Sequence, residues 1–192
     1  MDLQFWESAD VKEQLTLTGV LYTAKAVLVE RDGDTWRVVS DFFDPAGAKI
    51  GSSSFVASQV DGQWQAFYEA MTLDRTHRET GIAAAYVADL VVKWRALGLS
   101  RMTLNAVSGG GDNGAYTWAT LGFELDPGQA RLFASRMRWV GRITDRSWLE
   151  LATKVASGDA SITDVVDHPL GKDFLLGKYG TVQWAGVYEI TP

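Results

Sequence analysis

The chain contains no cysteine and only two histidines, His77 and His168. Without a thiol there is no disulfide framework, no thiolate nucleophile and no cysteine-bound zinc or iron–sulfur centre, and two isolated imidazoles do not make a histidine-rich metal site. No metal is expected. Proline is scarce, at 4 of 192 residues. With no proline-rich linker, low-complexity tract, internal repeat or long charge block, the sequence is expected to form a single domain over 1–192. No apolar run reaches the roughly 18–20 residues of a membrane span, because Lys25, Glu30, Lys93 and Arg95 break the longest ones, so no membrane is expected as a partner. The opening Met-Asp-Leu-Gln-Phe-Trp-Glu lacks the basic start, apolar middle and small-residue cleavage site of a secretory signal, and the expected location is the cytoplasm. Positive charge is also short: 18 Lys and Arg stand against 24 Asp and Glu, a net charge of −6. That balance repels a phosphate backbone and speaks against nucleic acid. It suits an amine or other cationic substrate through long-range steering, and it equally suits plain solubility.

What is present is apolar residue, 46% of the chain, enough to close a core. From Leu15 to Leu73 the chain reads as strands, with Thr18 to Glu30 rich in Val, Leu and Tyr, and Thr35 to Phe43 carrying Trp36, Val38, Val39, Phe42 and Phe43. Asp32-Gly33-Asp34, Asp44-Pro45-Ala46-Gly47 and Asp61-Gly62 punctuate these runs at hairpin spacing, which predicts an antiparallel N-terminal meander. The spacing of Ile82, Ala85, Val87, Leu90, Val91, Trp94 and Leu97 predicts a helix over Gly81 to Leu97, stopped by Gly98. Arg101 to Val107 reads as a strand, Ser108 to Gly114 as a turn and Ala115 to Leu121 as a helix ended by Gly122. Strand, helix, strand, helix in succession implies a parallel pair with helix crossovers, hence an α/β domain with a mixed central sheet. Gln129 to Val155 reads as two helices, Asp159 to Lys178 as loop or short helix, and Thr181 to Ile190 as a last strand.

One stretch carries chemistry: Met71-Thr72-Leu73-Asp74-Arg75-Thr76-His77-Arg78-Glu79-Thr80-Gly81-Ile82-Ala83, a strand feeding a tight loop that opens a helix. The unpaired N–H groups of a helix's first turn and the positive end of its dipole bind anions, and Gly81 with the small Ala83 allows a pyrophosphate to approach the backbone. The stretch has neither the Gly-x-x-x-x-Gly-Lys of a nucleoside-triphosphate loop nor the Gly-x-Gly-x-x-Gly of a dinucleotide fold.

Arg78-Glu79-Thr80-Gly81-Ile82-Ala83 resembles the signature of the GNAT acyltransferase superfamily, which is Arg or Gln, two residues, Gly, one residue, then Gly or Ala, directly after a strand. A second stretch, Asn113-Gly-Ala-Tyr-Thr-Trp-Ala-Thr-Leu-Gly-Phe123, is similar to that family's later motif, a helix closed by Leu-Gly-Phe. Together they cover about residues 68–125. The resemblance implies a GNAT-like mixed central sheet in which Phe123 to Leu125 and Trp184 to Ile190 are the last two strands, with a helical insertion over 128–178 between them. It implies acetyl-CoA or another acyl-CoA as co-substrate, with Arg78, Glu79, Thr80, Gly81, Ile82 and Ala83 around the pyrophosphate, Met71, Thr72 and Leu73 along the pantetheine arm, and Asn113 and Trp118 completing the cofactor site. The implied reaction is direct acyl transfer to a primary amine, on a small molecule or a peptide, without a covalent enzyme intermediate; a homodimer is an open expectation.

Such a transfer needs a group that frees the amine of its proton and a donor for the departing thiolate. Glu69, on the strand before the loop, is the candidate base, with Asp74 and Glu79 as alternatives. Where the family places a tyrosine as thiolate-protonating residue this chain has Trp118, whose indole is no acid at useful pKa. Tyr116 is the nearest phenol, about 200° round a helix from that position, and it too reads either as catalytic or as packing. A non-catalytic module of the same fold that binds a peptide or protein is the second reading. Arg131, Arg138, Arg142 and Arg146, spaced by seven, four and four, are expected on one helix face, which fits either a solvated surface or an acidic partner.

Overall fold

Three turns organise the first half of the chain, and each is built by the residues that tolerate left-handed backbone. In the computed structural model, which describes residues 3–109, 112–140 and 145–190, two short helices, α1 (Leu3–Glu7) and α2 (Val11–Gln14), precede strands β1 (Leu17–Thr18), β2 (Thr23–Asp32), β3 (Thr35–Phe43), β4 (Lys49–Val60) and β5 (Gln63–Leu73). Gly33 at φ +58°, Gly47 at +86°, and Asp61 with Gly62 at +51° and +77° form the reversals between β2 and β5. All pairings from β1 to β5 are antiparallel, with Val38 opposite Phe55 and Ala57 opposite Ala66. The expected meander is present. Its first strand is interrupted, however: Gly19 to Tyr22 form a loop that places Tyr22 in the core.

The chain then continues through α3 (Ile82–Ala96), β6 (Leu99–Gly109), β7 (Asp112–Asn113), α4 (Gly114–Thr120), β8 (Glu124–Leu125), α5 (Ala130–Trp139), α6 (Arg146–Ser157), α7 (Ile162–Asp167), α8 (Gly171–Leu175) and β9 (Val182–Glu189). The sheet is mostly antiparallel with one parallel pair; a strand–helix–strand crossover of the kind α3 makes between β5 and β6 is what a parallel neighbour requires. The mixed α/β architecture, the N-terminal meander and the helical segment toward the C-terminus are those expected from the sequence. Among the described residues no helix is long and apolar enough to cross a membrane.

By contacts the chain divides into two compact units, Met1–Met102 with Glu189–Pro192, and Thr103–Tyr188. In the first, one face of the meander is apolar: Trp36, Val38, Phe42, Phe55, Ala57, Trp64, Ala66 and Tyr68 are all buried. Helix α3 lies on it edge to face, with Tyr86 on Phe42 at 4.7 Å and Trp94 on Phe55 at 4.6 Å, contacts worth about 0.5–1.5 kcal/mol each beyond their buried area. Trp6 of α1 stacks on Trp36 and Trp64. Gly98, at φ +76°, stops α3 as expected.

In the second unit, α5 and α6 pack around Trp148, which is fully buried, meets Phe174 at 5.1 Å and donates its indole N–H to Met137 O at 2.9 Å. Helix α6 is capped by Asp145, and α7 by a reciprocal pair of Ser161 and Asp164. Strand β8 pairs with β9, Glu124 opposite Val187, so the strands expected to come last are neighbours. The arginine stripe is corrected: α5 ends at Trp139 and α6 starts at Arg146, so Arg131 and Arg138 sit on one helix and Arg146 on another, while Arg142 lies outside the described residues. Seven of the eight tryptophans are core residues; Trp139 alone is 88% exposed.

Candidate functional site

Strand β5 ends at Leu73, and the loop after it is held by its own backbone. The Asp74 N–H donates to Ile50 O at 2.8 Å, a single 3-10 turn covers Arg75–His77, and the Thr80 hydroxyl donates to His77 O at 2.7 Å. The Arg78 guanidinium turns back to donate to Leu73 O at 3.1 Å. Two left-handed residues then aim the chain into the helix, Glu79 at φ +63° and Gly81 at φ +85°. Gly81 is the N-cap of α3 and supplies no side-chain cap, and the first turn contains no acidic residue. Inside the helix the first bonded amide is that of Ala85, to Gly81 O. The N–H groups of Ile82, Ala83 and Ala84 therefore have no partner within the helix, and they point out of its positive end.

A Cβ built on Gly81 meets nothing within 4 Å, so glycine is required here for its backbone angle, and open space lies before the amides. Ile82 is buried and offers the loop only its main chain, and Ala83 is half-buried and small. A helix start of this kind is a general place for an anion. One residue disagrees with an anion: the exposed Glu79 brings a carboxylate, and its left-handed backbone is strained by about 1–2 kcal/mol. Glu79→Gly removes both, and is expected to leave stability unchanged or raise it by up to about 1 kcal/mol and to strengthen the binding of a pyrophosphate-containing probe such as ADP. Urea denaturation and calorimetry check the two halves.

Within β5 the ladder to β4 jumps: Phe55 faces Tyr68 but Ser54 faces Ala70, so Glu69 is an extra, bulged residue. Its carboxylate is bound by the Arg37 guanidinium on β3 at 3.1 Å, in a pair where Glu69's side chain is 30% exposed. Beyond the bulge Met71 pairs with Ser53, Thr72 with Ser52 and Leu73 with Gly51. Met71 and Leu73 are half-buried and Thr72 is exposed, its hydroxyl 3.3 Å from that of Ser52. Gly51 was not singled out from the sequence, yet a Cβ there would stand 2.1 Å from Thr72 O; a glycine inside a strand signals such close approach. Of the alternative bases, Asp74 and Glu79 are both exposed on the loop.

The first unit thus brings Glu69, Met71 to Leu73 and Arg78 to Ala83 together on one strand, loop and helix. Asn113, Tyr116 and Trp118 belong to the second. Asn113 precedes α4 without capping it by its side chain. Ser108 does so instead, its buried hydroxyl accepting from the Ala115 N–H at 2.8 Å. Trp118 is 7% exposed and packs edge-on against Phe123 at 5.2 Å, the contact that closes the Leu-Gly-Phe stretch. Tyr116 is half-buried, with the Lys172 ammonium 5.6 Å from its ring centre.

Another constellation in this unit looks like a nucleophile and is a cap. Ser147 Oγ lies 2.9 Å from His168 Nε2 and 2.6 Å from Asp145 Oδ1. His168 Nδ1 accepts from the Leu170 N–H, which puts the neutral ring's proton on Nε2; the ring then donates to Ser147, and Ser147 donates to Asp145. A serine nucleophile needs the opposite direction. The serine hydroxyl and the Trp148 N–H hold the Asp145 carboxyl below the ordinary aspartate range.

No family model and no curated protein sequence matches the chain. Solved structures do match. Arabidopsis thaliana Naa50, in complex with a bisubstrate analogue of CoA and a peptide, is 10% identical with a TM-score of 0.38 over 46% of this chain and 58% of its own, less than two thirds of that protein's length. The GNAT-family N-acetyltransferase YhbS from Escherichia coli, in complex with CoA, is 19% identical with a TM-score of 0.38 over 48% of this chain and 49% of its own. A candidate GNAT-family acetyltransferase from Desulfovibrio desulfuricans is 9% identical with a TM-score of 0.42 over 81% of this chain and 70% of its own.

Proposed function

We propose that the loop between β5 and α3 holds the pyrophosphate of an acyl-CoA, acetyl-CoA being the simplest, and that the protein transfers the acyl group to a primary amine in a ternary complex. The observation that carries this reading is the bare N-terminus of α3, with the amides of Ile82 to Ala84 unpartnered within the helix, a left-handed Gly81 and no side-chain cap. The bound thioester supplies the activated carbonyl. The chain's residues supply the rest: backbone amides and the helix dipole neutralise phosphate charge, Met71 to Leu73 line the pantetheine arm, and the Glu69 carboxylate takes a proton from the incoming ammonium, directly or through water, so that its nitrogen can attack. As the tetrahedral centre collapses, the carbon–sulfur bond breaks, the nitrogen gives up its second proton to water and the departing thiolate takes one from water.

Amine-dependent release of free CoA thiol, measured with acetyl-CoA and a panel of small amines and peptide N-termini, tests the activity. Glu69→Gln is expected to lower kcat about 100-fold, the scale of a lost general base, with KM for acetyl-CoA within about twofold. CoA binding without any amine-dependent release would make the protein a binding module instead.

A further inference from the structure

Four hydroxyl groups are buried together beneath the bulge of β5. Ser40 on β3 faces Ser53 on β4 across the ladder, Tyr68 is the last residue of β5 before the bulge, and Tyr86 comes from the second turn of α3. None is more than 3% exposed. The Tyr86 and Ser53 oxygens are 2.9 Å apart, and the Tyr68 and Ser40 hydroxyls lie close enough to influence the same phenol. Burial pushes both phenols up, so at neutral pH they stay protonated, and either oxygen of the Tyr86–Ser53 pair can be the donor. Phenylalanine and alanine would fill this space without any hydroxyl to satisfy in an apolar core. What the hydroxyls add is direction, since a hydrogen bond fixes a distance and an angle where apolar surfaces tolerate sliding.

The place of these bonds gives that direction a use. Tyr86 stands one turn beyond the amides at the start of α3, and Ser53 pairs with Met71 at the other half of the candidate site. We propose that Tyr86 and Ser53 are positioning residues that set the separation between the anion-binding start of α3 and the strand end Met71 to Leu73, and so the length of ligand that the two halves grip at once. This rests on the acyl-CoA reading of the site.

The test is calorimetric titration of the wild type, Tyr86→Phe and Ser53→Ala with two ligands: CoA, which spans both halves, and ADP carrying a 3′-phosphate, which has the pyrophosphate half alone. Tyr86→Phe keeps the ring that packs on Phe42 and Tyr22, and Ser53→Ala removes the bond from the other side. Each variant is expected to weaken CoA about tenfold, in line with a sub-ångström misplacement, and to leave the nucleotide half within about twofold; the double variant is expected to be no worse than either single one. A folded Tyr86→Phe that binds CoA as tightly as the wild type overturns the proposal, as does an equal loss of both ligands, which would mark a purely structural role. A wild type that binds neither ligand overturns the acyl-CoA reading itself, and the proposal with it.

Discussion

Gly81→Asp is expected to weaken the proposed CoA binding at least 100-fold, about 2.7 kcal/mol, and to leave the protein folded. Two causes combine. The residue sits at φ +85°, where a side chain costs about 1 kcal/mol or somewhat more, although aspartate tolerates this region better than most. More important is where the new carboxylate goes. The space in front of Gly81 is open, so the side chain fits without a clash, and it places a negative charge among the amides that would otherwise face phosphate. Aspartate is also a favoured helix cap, so α3 keeps its start while its anion site is filled from within the chain. Gly81→Asn is the matched control, nearly the same shape without the charge, and its loss is expected to be about a tenth as large as that of the aspartate variant. Calorimetry with far-UV circular dichroism separates the cases; equal losses in the two variants would mean that shape alone matters there.

Gly51→Ala is the substitution expected to damage the fold most for its size. Its Cβ would lie 2.1 Å from Thr72 O and 3.1 Å from Leu73 Cα, and both obstacles are backbone, so no rotamer relieves them. Separating β4 from β5 there is expected to cost about 2–4 kcal/mol in urea denaturation. The strand that must give way carries Met71 to Leu73, so CoA affinity is expected to fall with stability. A loss below about 1 kcal/mol would show that the strand end has slack, and would remove the reason for a glycine at that position.

What could be read from the sequence was local. The hairpins at Gly33, Gly47 and Asp61-Gly62 were legible because left-handed turns demand particular residues, and α3 was placed to within a residue because its apolar spacing and Gly98 both act over one or two turns. The loop motif was legible for the same reason. The bulge at Glu69 was not: it exists only in the register between β4 and β5, which no single strand encodes. Arg37 is far from Glu69 in the chain, and the Tyr86 to Ser53 bond likewise joins residues from separate elements, so neither partner could be named beforehand. Helices α1 and α2 are too short to show a period, and Trp6 is buried through the partners Trp36 and Trp64 rather than through any pattern of its own. Spacing alone put four arginines on one helix; the end of α5 at Trp139 divides them. For Trp118 the sequence left packing and function open, and the structure places it in the core against Phe123.

Whether the start of α3 holds the CoA pyrophosphate can be read residue by residue in the amide NMR spectrum of the ¹⁵N-labelled protein. On titration with CoA, the largest shifts are expected at the backbone amides of Gly81, Ile82, Ala83 and Ala84, followed by Met71 to Leu73, and the same titration of Gly81→Asp is expected to leave these resonances in place. Shifts centred elsewhere on the protein, or an unperturbed spectrum at millimolar CoA, would contradict the account.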